Sequence, residues 1–320
     1  MSNPGRVLHF VTGKGGVGKS TVAAALALGL VARGARVLAI ELGEPAGLCR
    51  VLATTPPGPG AIAPVAAAPG LSLATFDGAA ALAEYLTLRM HLGRWGHRMM
   101  AHPLYRGFVA AAPGVRELLV VGKIRDELVL QRDGDRPRWD AIVVDAGASG
   151  HALEHLRMPA AAATAFRTGL VHREAEVNAV LLRDHVRTAV HVVATAEEMP
   201  LREAAQVIAA LRGHGLPVGA VLINQCRPEA PPAIDDALAR LGALAPPATA
   251  TAELQAWTAA RDVLLAVASR ARTWEQIQTR GIAALEVEAR VRAVRLARLW
   301  VADGFGQAAS LAAPVEEAAR

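Results

Sequence analysis

The chain has 320 residues, 52% of them hydrophobic but only 4% aromatic, so aliphatic and alanine side chains must fill its core. That length suits one large α/β domain with insertions. The net charge of +5 is modest and its arginines are interleaved with Asp and Glu, which favours a solvated surface over a nucleic-acid site. Cys49 and Cys226 lie far apart with no C-x-x-C, so neither a zinc staple nor a disulfide framework is indicated. Residues 1–5 carry no apolar signal core, and every apolar run breaks before the roughly 18 residues that suggest a membrane span. The simplest expectation is a soluble, cytoplasmic protein with no integral membrane segment.

Residues 6–12 (RVLHFVT) are apolar and β-branched and predict a first strand. After a glycine-rich stretch, residues 19–33 read as an Ala/Leu-rich helix stopped at Arg33-Gly34. Residues 36–42 (RVLAIEL) predict a second strand, and the Gly/Pro/Ala-rich stretch 43–70 predicts irregular chain. Helical periodicity returns over 78–132. Buried-type strands are predicted at 139–145 (WDAIVVD), 188–194 (TAVHVVA) and 217–224 (PVGAVLIN), with a helix at 201–213 between the last two. A long helical segment is expected over 252–302, and a frayed end from Ala308 to Arg320. Strands alternating with helices imply a doubly wound, mostly parallel α/β sheet, with ligands at the carboxyl ends of its strands. The expected organisation is one domain, 1–305, with a helical insert at about 78–132, and a C-terminal tail, 306–320.

The chain has three lysines, and two of them fall in Gly13-Lys14-Gly15-Gly16-Val17-Gly18-Lys19-Ser20-Thr21. Every other basic residue except Lys123 is arginine. A retained ammonium marks a place for a compact point charge rather than a planar fork. Gly13, Gly18, Lys19 and Ser20 fit G-x-x-x-x-G-K-S/T, with a strand before and a helix after, which is the context a phosphate loop (P-loop) requires. Backbone N–H groups of Gly15, Gly16, Val17 and Gly18 can turn inward there, and the helix end adds partial positive charge. Lys19 is expected to reach the β- and γ-phosphates and the Ser20 hydroxyl to take a magnesium position. Thr21 is expected near the α-phosphate. The expected ligand is therefore a nucleoside triphosphate with Mg2+.

The form G-K-G-G-V-G-K-S-T resembles the deviant Walker motif of SIMIBI-class P-loop ATPases. In that class the early lysine, here Lys14, reaches the partner's nucleotide across a dimer. Further segments resemble the arsenite-pump and tail-anchored-protein-targeting ATPase family. Val143-Val144-Asp145-Ala146-Gly147-Ala148-Ser149-Gly150-His151-Ala152-Leu153 is similar to its switch II, D-T-A-P-T-G-H-x-L. Ala112-Pro113-Gly114-Val115-Arg116-Glu117-Leu118 is like its P-G-x-x-E element. Glu197-Glu198-Met199-Pro200-Leu201-Arg202-Glu203 is like its acidic segment after a strand. Asn224 in Leu222-Ile223-Asn224-Gln225 matches its adenine-binding asparagine. The resemblance, which runs from residue 6 to about 226, implies an ATP- and magnesium-dependent dimeric switch. Asp145 would hold magnesium through water, and the partner would be a second copy or a paralogue.

Switch I departs from the family. The family's D-P-A-H-x-L corresponds here to Glu41-Leu42-Gly43-Glu44-Pro45-Ala46-Gly47-Leu48. Aligned on Leu48, the water-positioning Asp is Gly43; shifted to match Pro-Ala, it is Glu44. A carboxylate one methylene longer can orient water, whereas glycine cannot, and positioning is most of phosphoryl-transfer catalysis. Two readings stay open: a switch ATPase with Lys14, Lys19 and Glu44 as catalytic groups, and a non-hydrolysing nucleotide-bound interaction module, paired with an active paralogue. A positioning ATPase of the partition or Min kind is a third.

Several other features have a plain alternative. His151-Ala152-Leu153-Glu154-His155 fits a zinc-peptidase pattern, but His151 is also the switch II histidine and no third ligand can be named. Lys123 is either an anion or partner contact or an ordinary surface lysine. The Met, Trp and Phe residues within 90–108 are either packed core or a groove for a hydrophobic protein client. Residues 286–302 are either a basic amphipathic membrane helix or a solvated helix packed on the domain, the latter favoured because the segment is not at the chain end. Arsenite handling is not expected, because two distant cysteines make no three-thiol site.

Overall fold

A computed structural model describes residues 7–42, 47–58, 60–76, 115–227, 234–244, 251–301 and 303–320. The Met, Trp and Phe residues within 90–108, read as core or client groove, Glu44 and the Pro113-Gly114 pair lie outside the described residues.

The elements run in the predicted βαβ order. Strand β1 (Leu8–Gly13) feeds α1 (Lys19–Ala32), β2 (Val37–Leu42) and a short α2 (Gly47–Val51). β3 (Ile62–Pro64) and β4 (Leu71–Phe76) follow. Helix α3 (Val115–Arg125) widens into a π-helical turn at Asp126–Leu130, and a short hairpin, β5 (Arg132–Asp133) and β6 (Arg136–Pro137), leads on. β7 (Ala141–Ala148), α4 (Ser149–Ala165), α5 (Leu170–Arg183), β8 (Thr188–Thr195), α6 (Glu198–Gly213) and β9 (Val218–Cys226) complete the region of alternating strands and helices. The rest is α7 (Ile234–Ala243), α8 (Thr251–Ala289), β10 (Ala293–Ala297) and α9 (Gly304–Ala319).

The main sheet has the order β10-β9-β8-β1-β7-β2-β4-β3 and is parallel except where β3 meets β4. Its strands are apolar on both faces, as a sheet covered by helices on both sides requires. Leu8, Phe10, Leu38, Ile40, Ile142 and Val144 point to one face, into a core shared with α3 to α6 and the end of α8. The alternate residues Val11, Val37, Ala39 and Val143 point to the other, against α1, α2 and α9. β1 sits between β7 and β8, so the chain winds outward in both directions from it. That places the crevice at the carboxyl end of β1, where the phosphate loop begins.

Three regions differ from expectation. β3 lies within the stretch expected to be irregular, and β4, just past it, joins the sheet beside β2. The helix expected through 302 stops at Ala289: Arg290 takes a left-handed backbone (φ 50°), and the chain returns as β10, parallel to β9. Glu286 fixes that exit by accepting the Ala293 N–H at 2.9 Å. Arg292 and Arg295 therefore lie past the end of α8, and no basic amphipathic helix forms. The end expected to fray is α9, whose Ala308, Leu311, Val315 and Ala319 are buried. Its start is capped by Asp303, which accepts the Gly306 N–H at 2.6 Å, and its end is tied by Glu316 to Arg33 (3.5 Å) and Arg320 (2.7 Å). No helix among the described residues is long and apolar enough to cross a membrane.

Candidate nucleotide site

The loop after β1 is fixed by close approaches. A Cβ on Gly13 would lie 2.0 Å from the Val193 carbonyl oxygen on β8, and one on Gly18 would lie 2.3 Å from Asn224 Nδ2 on β9. Gly18 also takes φ 88°, a left-handed turn that lets α1 begin at Lys19. Asn224, buried at the end of β9, donates from Nδ2 to the Val17 carbonyl at 2.9 Å. The residue expected to meet adenine thus braces the loop backbone. Gly15 and Gly16 stay exposed and Thr21 half-buried, at the mouth and on the first turn of α1.

The two loop lysines are differently placed. Lys19 is partly buried and donates to the Lys14 carbonyl at 3.0 Å. Burial lowers its pKa, while the carboxylates of Asp145 and Glu203 act to raise it. Lys14 is more open and lies 3.9 Å from Glu203 on α6. Glu203 also accepts a hydrogen bond from Ser149, the first residue of α4 after the switch II strand. One α6 carboxylate therefore touches both the loop and switch II.

Asp145 stands on β7 opposite Glu41 on β2, in register. Both are almost fully buried, at 4% and 5% exposure, so two carboxylates lie together away from solvent. Burial pushes the Asp145 carboxyl above its ordinary range and Glu41 adds to this, while the Ser20 hydroxyl and Lys19 pull it down. Asp145 Oδ1 is buried without a hydrogen-bond partner. A buried carboxylate oxygen left without a donor is costly unless something positive meets it. Ser20, Asp145 and nearby oxygens suit a hard divalent cation, and the loop N–H groups suit its phosphates. The site therefore fits magnesium and a nucleotide.

Glu41 has a second task, which the sequence reading missed. Its Oε1 accepts the N–H groups of Gly47 (2.7 Å) and Leu48 (2.9 Å), and its Oε2 faces Cys49 Sγ at 3.5 Å. Burial and the neighbouring carboxylate push the Cys49 thiol up to about 11, so at neutral pH it remains a donor to Glu41. Gly47 itself is pressed against the loop: a Cβ there would lie 2.3 Å from Ser20 Oγ. The one sequence signal for Glu41 is a charged residue inside an otherwise apolar strand, RVLAIEL.

The remaining candidates fall elsewhere. Lys123 stands over the Phe76 ring at 4.8 Å. His151 is exposed beside Glu154 at 3.9 Å, and among the described residues no group of three His, Cys, Asp or Glu side chains is arranged to hold a metal.

The profile of the anion-transporting ATPase family matches residues 6–177 and 171–238. The chain is similar to ATPase BagA of Mycobacterium tuberculosis, 36% identical over 221 residues, covering 68% of this chain and 64% of that protein. It is also similar to Protein Rv2184c of the same organism, 31% identical over 258 residues, covering 69% of this chain and 59% of the other. The match thus spans less than two thirds of each relative's length. With the phosphate loop, the paired strand carboxylates and the switch II segment arranged around one crevice, the chain belongs to the anion-transporting ATPase family.

Proposed function

We propose that the chain is an ATP- and magnesium-dependent switch ATPase that works as a dimer on a protein or membrane-associated client. The observation that carries this reading is the buried Asp145 Oδ1, without a partner, beside Ser20 and Lys19 at the start of α1. Family membership and the name of the relative BagA, an ATPase, support it.

In this reading Lys19 and the N–H groups of Gly15, Gly16, Val17 and Gly18 neutralise and orient the triphosphate. Ser20 and Asp145 hold magnesium, which when bound draws charge from the phosphate oxygens. Lys14 supplies a second ammonium toward a partner's nucleotide. Glu41 fixes where the switch I segment returns at Gly47, and Glu44 is the candidate for positioning water. Movement at Ser149 and α4 carries the nucleotide state outward.

A second reading is nucleotide binding without turnover. It is favoured by the engagement of Glu41 with Gly47, Leu48 and Cys49, which leaves water positioning to the segment containing Glu44. One assay separates the two: phosphate release from ATP, with and without Mg2+. Magnesium-dependent release that falls to background in Lys19→Ala supports the ATPase. Tight ATP binding with no release supports the module.

A further inference from the structure

Glu203 stands where three parts of the machinery meet. It lies on the second turn of α6, its Oε2 3.9 Å from Lys14 Nζ, and it accepts the Ser149 hydroxyl hydrogen bond. Its charge is also felt by Lys19, whose ammonium it favours. The side chains of Lys14 and Glu203 are 37% and 30% exposed, so the pair is reachable from solvent and exchangeable. No other residue of α6 is in this position: Glu198, at the start of the same helix, pairs outward with Arg202 at 3.0 Å and is 81% exposed.

A carboxylate beside two lysines of a phosphate loop offers those lysines what a phosphate offers them, negative oxygen. The two cannot share the ammonium groups freely, because like charges at this range repel. We propose that Glu203 is an internal latch: within one chain its carboxylate holds Lys14 and the switch II residue Ser149, and an entering triphosphate competes with it for Lys14. Displacing Glu203 does two things at once. It frees Lys14 to turn toward a partner subunit, and it releases the start of α4. Nucleotide entry is thereby coupled to switch II through one side chain. The latch opposes binding, so its removal strengthens binding. A residue that merely stabilises the site would do the opposite when removed. The inference rests on the nucleotide-binding reading above.

The test is calorimetric titration of ATP with Mg2+ into the full chain and three variants, with thermal melts to check folding. Glu203→Gln keeps the shape and an acceptor for Ser149 but removes the charge. It is expected to bind about three- to tenfold more tightly, the scale of one half-exposed charge interaction. Ser149→Ala, which loosens only the switch II side, is expected to gain less. Glu198→Gln makes the same change in net charge on the same helix and is expected to bind as the wild type does. Equal or weaker binding by Glu203→Gln beside a binding wild type overturns the latch, as does an equal gain in Glu198→Gln. Uptake by Glu203→Gln alone supports the latch. No uptake by either the wild type or Glu203→Gln removes the nucleotide-binding reading and the latch with it.

Discussion

The segments that leave the carboxyl ends of β1 and β2 meet at Ser20, yet they are held by different means. The loop after β1 is held by backbone: Gly13 against Val193, Gly18 turned left-handed beneath Asn224, and Val17 braced by the Asn224 amide. Where the segment after β2 is next described, at Gly47, the Glu41 side chain gathers Gly47, Leu48 and Cys49, with Leu48 and Cys49 packed into the core behind it. A backbone cradle keeps its shape whatever it binds. A polar anchor centred on a carboxylate that faces Asp145 across the sheet depends on the charge around it. A phosphate site beside a switch calls for both kinds of attachment.

The comparison can be broken most severely at Gly13. Gly13→Ala forces a Cβ into the Val193 carbonyl, and neither β1 nor β8 can yield at the centre of the sheet. Urea unfolding is expected to show a loss of about 3 kcal/mol, the upper range for overpacking. Nucleotide uptake should disappear as well. Near-wild-type stability would contradict the backbone account of the loop.

Glu41→Ala tests the other attachment. A buried and a half-buried N–H group, those of Leu48 and Gly47, lose their acceptor, at up to about 1–3 kcal/mol each, partly offset by relief of repulsion with Asp145. A net loss of about 2 kcal/mol is expected in the same unfolding assay, with Glu41→Gln, which keeps an acceptor oxygen, recovering most of it. If the Gln variant is as unstable as the Ala variant, the anchor works through charge rather than hydrogen bonding.

The smallest effect on stability, and the most specific, is at Asp145. Its carboxyl is raised by burial, so the folded chain favours the protonated acid. The stability it contributes is fully present below its ordinary value of 3.8 and is lost as pH rises through the raised folded value. At neutral pH the ionised group therefore costs stability, and magnesium should restore it. Asp145→Asn is expected to melt slightly above the wild type in chelator and to show no response to Mg2+, whereas the wild type rises. A magnesium response retained in the Asn variant would place the cation elsewhere.

How much of this was legible in the sequence follows the same division. The phosphate loop could be read because its geometry is local: a strand, glycines at fixed spacing and a helix start. The strands ending in Asp145 and Asn224 were legible as apolar runs. Glu41 was not, because its partners arrive from six to eight residues on, around a turn whose path only the folded sheet fixes. β10 was hidden by arginines that kept a helical pattern going, while the actual break falls at Arg290, a residue with no turn signature. α9 reads as loose alanine with an internal Pro314, and its order comes from burial against α1 rather than from propensity. Glu203 was visible as part of an acidic segment, but its contact with Lys14 and Ser149 depends on how α6 packs beside β1 and α4.

The most direct test is calorimetric titration of ATP into the folded chain with Mg2+ and, separately, with chelator. The account predicts saturable uptake that magnesium strengthens and that Lys19→Ala abolishes. A flat titration under both conditions, on protein shown to be folded, would contradict it.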